Sequence, residues 1–281
     1  MFDFRYHALS LVAVFLALMI GLLLGVAIGD KGLVSSAEHN LRASLRSDVR
    51  AAQAESANLR TQLADQKRFQ DTVYPLLVQG RLSGQRIGLV GMGGLPDGTI
   101  REVRDALQGT GGQFAGVAVV REPVSDSAVQ QVPGASSPPT SADYGKLGNL
   151  LAAALLKGGK QANALTRGTL QSSSGNLRGV EGLVIYRAPL PGGAADANVN
   201  AFDAGLVSGL AANASHVLGA EDTNTSPSQI GWFRGQRISS VDDLDQVAGK
   251  AGLVFVLTGA NGSFGVKDSA QALLPGAAGA G

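Results

Sequence analysis

The chain reads as an α/β protein carried behind a single N-terminal transmembrane helix and a helical coiled-coil stalk. Three features predict this. Residues Ala8 to Ile28 form 21 consecutive positions without a charge. Ser36 to Val78 contains no glycine, and no proline before Pro75. From Arg86 onward, short β-branched apolar segments alternate with helix-patterned ones, the pattern of a mostly parallel sheet covered by helices on both faces.

The uncharged run spans roughly 30 Å as a helix, enough to cross a bilayer. It predicts a single-pass anchor over residues 1–30, in contact with lipid. A cleaved secretory signal is the competing reading, with Ala27 and Gly29 as a small-residue cleavage pattern. Gly21, Gly25 and Gly29 repeat every fourth place and form a candidate face for close helix packing. The expected orientation leaves Arg5 in the cytosol and the remaining chain outside, although Lys31, Arg42 and Arg46 on the other side do not favour it.

Residues 31–80 predict the stalk. A heptad places Leu45, Ala52, Leu59, Gln66 and Val73 at one seam position and Val49, Ser56, Leu63, Gln70 and Leu77 at the other. The expected state is a homodimer, because two tethered chains meet at high effective concentration. A lone helix docked on the following domain is the alternative.

Residues 81–275 predict the α/β domain, and 276–281 a flexible tail. Strands are expected at Arg86–Gly91, Ala115–Val120, Gly182–Tyr186, Val217–Ala220 and Ile238–Val241. Helices are expected at Thr99–Leu107, Asp143–Leu156 and Ala197–Ala211, the last following a turn at Pro191–Gly193, with a helical turn within Ser226–Phe233. Pro123–Ser141 reads as loop and Gly168–Gly179 as polar and flexible. Leu253–Leu257 fits either a strand or a helix face.

The composition excludes several functions. A net charge of +1 supplies no field for nucleic acid. There is no cysteine, and the methionines are Met1, Met19 and Met92, so soft ligands for cuprous copper are nearly missing. His7, His39 and His216 are scattered along the chain. No catalytic residue, metal site or cofactor is assigned, and no enzymatic activity is expected. His216 has Glu221 and Asp222 nearby, but no serine is framed as a nucleophile. Gly91, Gly93 and Gly94 stand where a nucleotide-binding fold cradles phosphate. No phosphate-loop lysine follows, and Val120 leads into Arg121 and Glu122, so a tight strand–helix turn is the better reading. Asp242, Asp243 and Asp245 read as a helix start or a solvated turn. Trp232 and Phe233 are either core plugs or the anchor of a partner surface.

The opening MFDFRYHALSLVAVFLALMIGLLLG resembles that of the actinobacterial family named after mycobacterial copper transport protein B. The segments ISSVDDLD, AGKAGLVFVLTG and GSFG are similar to its C-terminal signature. The matching positions are Phe4, Arg5, Tyr6, His7, Ser240, Val241, Asp242, Asp243 and Asp245. The resemblance implies placement in the cell envelope and a role in copper export or homeostasis, with copper ion as the implied cargo. Because that family also includes a corynebacterial cell-division protein, a scaffold binding a membrane or cell-division partner is the alternative. Serine and phenylalanine stand in GSFG where the family tends to have histidine and tyrosine.

Overall fold

The computed structural model describes residues 4–28, 32–159, 162–190 and 196–276. Gly29, the Pro191–Gly193 turn and most of the expected tail lie outside them. The chain divides into Met1–Lys67 and Arg68–Gly281.

The first unit is helical. α1 (Phe4–Ile28) contains a stretch, Tyr6–Ala27, long and apolar enough to cross a membrane, with a mean hydropathy of 2.8. α2 (Gly32–Val78) continues from the first unit into the second and holds Pro75 within its last turn.

In the second unit, β1 (Arg86–Met92), β2 (Gln113–Val120), β3 (Leu170–Gly175), β4 (Gly182–Arg187), β5 (His216–Ala220), β6 (Ser239–Val241) and β7 (Ser263–Phe264) form one sheet. Their order is β3-β2-β1-β4-β5-β6-β7. Neighbouring strands run parallel except β3, which pairs antiparallel with β2 at the edge.

Alternation along β1 builds the two cores. Ile87 and Leu89 face α3 (Asp97–Ala106), α9 (Val247–Leu257) and the end of α2. Val90 and Met92 face α5 (Ser141–Lys157), α7 (Ala197–Ala211) and α8 (Ile230–Gly235). This period-two division is what a strand buried on both faces requires. α5 and α7 pack backbone to backbone: a methyl on Gly148 would meet the Phe202 carbonyl, and one on Gly205 the Gly145 carbonyl.

Three expectations change. Gly168–Gly179 is not a flexible segment: α6 (Ala162–Thr169) ends there and β3 follows. An edge strand needs only the backbone pairing that β2 supplies, so its serine-rich side chains carried no apolar signal. The Pro123–Ser141 loop contains the short helix α4 (Asp126–Val129). Leu253–Leu257 is helical, the end of α9; a helix buried on nearly every side loses the polar face that would have marked it.

Candidate functional site

The strand order reverses at β1, which lies between β2 and β4, and in such sheets the crevice beyond the carboxyl ends is the usual place for chemistry. Charged residues crowd those ends. Glu122 follows β2, Arg187 ends β4, Glu221 and Asp222 follow β5, Asp242 and Asp243 follow β6, and Lys267 lies beyond β7.

Gly93, with φ +77°, turns the chain out of β1, and a side chain there would come within 2.6 Å of Glu122 Oε2. The missing Cβ therefore makes room for the Glu122 carboxyl. The Glu122 carboxyl thus occupies the space beside this turn.

The Glu122 carboxyl feels the charge of Asp203 on α7. Neither Glu122 oxygen, nor Asp203 Oδ1, receives an N–H or hydroxyl donor. Burial first, then the Asp203 charge, pushes Glu122 up to about 9, with Arg187 pulling the other way. Burial likewise raises Asp203 against the pull of Arg187.

Arg187 spreads its guanidinium over four partners. Nε donates to Asp203 Oδ2 at 2.8 Å, Nη1 to Gln229 Oε1 at 2.6 Å and Nη2 to Asn200 Oδ1 at 3.0 Å. Its Cζ lies over the Trp232 ring, 4.4 Å from the ring centre. Gln229 N–H donates to Glu221 Oε2 at 2.5 Å, and Lys267 Nζ donates to Glu221 Oε1 at 2.6 Å. One buried polar network thus links α7 to the ends of β4 and β5.

Glu102 of α3 and Asp222 also act on each other electrostatically. Burial and then the Asp222 charge raise Glu102 to about 7. Burial also raises Asp222.

The residues singled out from sequence fall in several places. Asp242 and Asp243 are fully buried, which corrects the expectation of a helix start or solvated turn; Asp245 is exposed. Asp242 Oδ1 accepts from the Val266 N–H at 2.8 Å, binding β6 to the segment after β7. Burial, with Asp242 and then Asp245 beside it, raises Asp243 to about 7. Ser240 Oγ bonds Ser263 Oγ at 3.0 Å in the interior, and Val241 is core. Phe233 is fully buried over Gly219, where any side chain would strike its ring, so it is not part of a partner surface. Trp232 is half-buried against it.

Phe4, Arg5, Tyr6 and His7 open α1, with Tyr6 exposed. Gly21 and Gly25 have open space where a side chain would project. On α2 the seam residues Leu45, Val49, Leu59, Leu63 and Leu77 are exposed, as is Ala52, while Val73 is half-buried. His216 begins β5, whereas Glu221 and Asp222 follow its other end, so these three do not assemble. Among the described residues, no three His, Asp or Glu side chains are arranged to hold a metal ion.

Glu122, Asp203, Arg187 and Glu102 escaped the sequence reading. A signal was present: acids fall within two positions of the ends of three expected strands, at Glu122, Glu221–Asp222 and Asp242–Asp243. Parallel strands bring these acids to one edge, but which of them are neighbours depends on strand order, which sequence does not give.

A family model described as copper transport outer membrane protein, MctB, matches residues 1–275. The chain belongs to that family. It is a membrane-associated, copper-transport-related protein by that membership and by its one apolar N-terminal helix. No curated protein matches it. The matched span takes in both the opening FRYH residues and the buried Ser240–Asp243 segment, so within this chain the C-terminal signature is a folding element of β6.

Proposed function

We propose that the protein is a non-enzymatic, single-pass envelope protein that serves copper export or homeostasis as a dimeric assembly factor. Its α/β domain lies outside the cytoplasm, and α2 pairs with α2 of a second copy as a parallel coiled coil. The observation that carries this reading is the exposed apolar stripe of α2. Leu45, Val49, Leu59 and Leu63 are each more than half exposed, and a helix with such a stripe gains by covering it.

Donor chemistry supports assembly over direct copper carriage. Met92 is fully buried in β1, Met19 lies in the apolar span, and cysteine is absent. Soft cuprous ion prefers thiolate and thioether ligands. One apolar helix per chain supplies no pore by itself. The same stripe favours the second reading, a scaffold for a cell-division or envelope partner.

Three measurements test this. In a deletion strain, altered cellular copper with normal septa supports the copper role. Unchanged copper with misplaced septa retires it in favour of the division scaffold. A Leu59→Cys chain in native membranes should form a disulfide-linked dimer under oxidation; monomer at every density refutes pairing. Labelling of Ser36→Cys in intact cells supports the outside placement, and labelling only after lysis reverses it.

A further inference from the structure

The two edges of the sheet are finished differently. At the β7 edge the chain closes its own border. Gln271 N–H donates to Ser263 O at 2.7 Å, Gly265 N–H donates to Ala272 O at 3.0 Å, and Ser263 N–H donates to Gln271 Oε1 at 3.0 Å. At the opposite edge β3 has one strand neighbour, β2, and Gln171 through Gly175 are exposed.

The register tells which backbone groups that edge leaves open. Asn176 N–H donates to Ala115 O at 3.0 Å, and bonded pairs alternate along an antiparallel ladder. Val117 with Ser174 and Val119 with Ser172 are therefore the bonded pairs, so the N–H and C=O of Ser173 point away from β2. The register shift between Val119 and Val120 leaves Gln171 without a partner as well. Sheet proteins ordinarily guard such an edge with charge or proline in the strand. LQSSSG contains neither.

Charge lies instead at the two ends, and it has one sign. Arg121 N–H donates to Thr169 O at 2.9 Å, and Arg167 sits in the last turn of α6, both beside the start of β3. Past its other end, Arg178 lies against Gly158, where a side chain would come within 2.7 Å of Nε. All three arginines are exposed, and among the described residues none pairs with a carboxylate. The nearby acids are engaged elsewhere. Glu122 turns its carboxyl toward Gly93, and Glu181 Oε2 accepts from the Arg86 N–H at 2.6 Å. Between α6 and β3 runs a groove of about 240 Å³, with Val117 and Leu155 in its wall; Arg178 is the one charged residue in its lining among the described residues.

We propose that the β3 edge is a docking site for an extended, acidic segment of a partner protein, which joins the sheet as an eighth strand. Main-chain bonds to Ser173 and Gln171 supply the pairing, and alternate aliphatic side chains enter the groove. Carboxylates of the segment meet the arginines at both ends. A second copy of this chain fits poorly. An antiparallel β3 pair centred on Ser172 and Ser173 sets Arg167 of each copy toward Arg178 of the other, and like charges oppose it. The site is independent of the α2 pairing and of the copper role.

The test uses the full-length chain in detergent micelles and a fluorescent peptide of about ten residues, enough to span β3 and both ends. The peptide alternates valine and threonine and carries aspartates at both ends. Anisotropy should show saturable binding, weakened by about tenfold in Arg167→Glu with Arg178→Glu, with the melting temperature of the domain unchanged. The same peptide with lysine ends, or methylated on its backbone nitrogens, should not bind. Absence of binding by the acidic peptide up to about 1 mM, equal binding by the methylated one, or unchanged binding in the arginine variant overturns the proposal. The peptide comparisons use the wild-type chain, so they decide even where the variant fails to fold. A disulfide-linked dimer formed through Ser173→Cys in native membranes would put a second copy on this edge and overturn the choice of occupant.

Discussion

The first helices and the sheet edge invert each other. On α2, leucines face solvent: Leu45 is 54% exposed and Leu63 64%. At the carboxyl edge of the sheet, acids are sealed inside: Asp203, Glu221, Asp242 and Asp243 are all 0% exposed. An isolated exposed leucine is ordinary, but a repeating stripe of them on one long helix is a surface awaiting cover. A buried carboxylate is tolerated only with donors, a cation or a proton. The sheet edge supplies a donor and a cation, Val266 N–H for Asp242 and Arg187 for Asp203, while burial pushes Glu122 and Glu102 up toward the protonated form. One region leaves apolar side chains open, while the other meets its charges with groups of the same chain.

The contrast breaks most visibly at Arg187. Its truncation in Arg187→Ala leaves Asp203 buried beside Glu122 without a cation, and the expected loss is about 3–5 kcal/mol in chemical denaturation. A loss under about 1 kcal/mol would mean the edge is not sealed as described. Phe233→Ala, which empties the space over Gly219, should cost a similar ~3–5 kcal/mol.

Glu102→Gln sharpens the electrostatic half. Because the folded value is raised, to about 7, wild-type stability should decline as pH climbs from the ordinary glutamate range toward 7. The glutamine variant should show a shallower decline in that window, read as melting temperature against pH.

Smaller still is the start of α5. Asp143 Oδ2 accepts from Thr140 N–H at 3.0 Å and Thr140 Oγ1 at 2.7 Å, which holds Asp143 well below the usual carboxylate range. Thr140→Ala should cost roughly 1 kcal/mol. The smallest stability effect belongs to the stripe. Leu59→Ser with Leu63→Ser should move the α/β domain's melting by less than about 0.5 kcal/mol yet abolish crosslinking through Leu45→Cys. Equal loss of domain stability would tie the stripe to the fold of its own chain.

Most strands were readable because their residues are apolar in runs: IGLVG in β1, VAVV in β2 and LVIY in β4. β3 was not, since in LQSSSG only Leu170 packs on the core and the exposed remainder is held by backbone pairing. α9 was ambiguous because burial erased its polar face. Phe233 was ambiguous because its pocket is made by Gly219, from a strand paired only in the folded sheet. The acids at the site were visible one by one and meaningless apart.

Local pattern alone determined the apolar span, the long α2 and the alternating α/β layout, because hydrophobic length and periodicity act between near neighbours in the chain. Which acids meet was decided only by the tertiary structure. Strand order brings Glu122 near Asp203 and Glu102 near Asp222, and that proximity, with burial, pushes Glu122 and Glu102 above the ordinary carboxylate range.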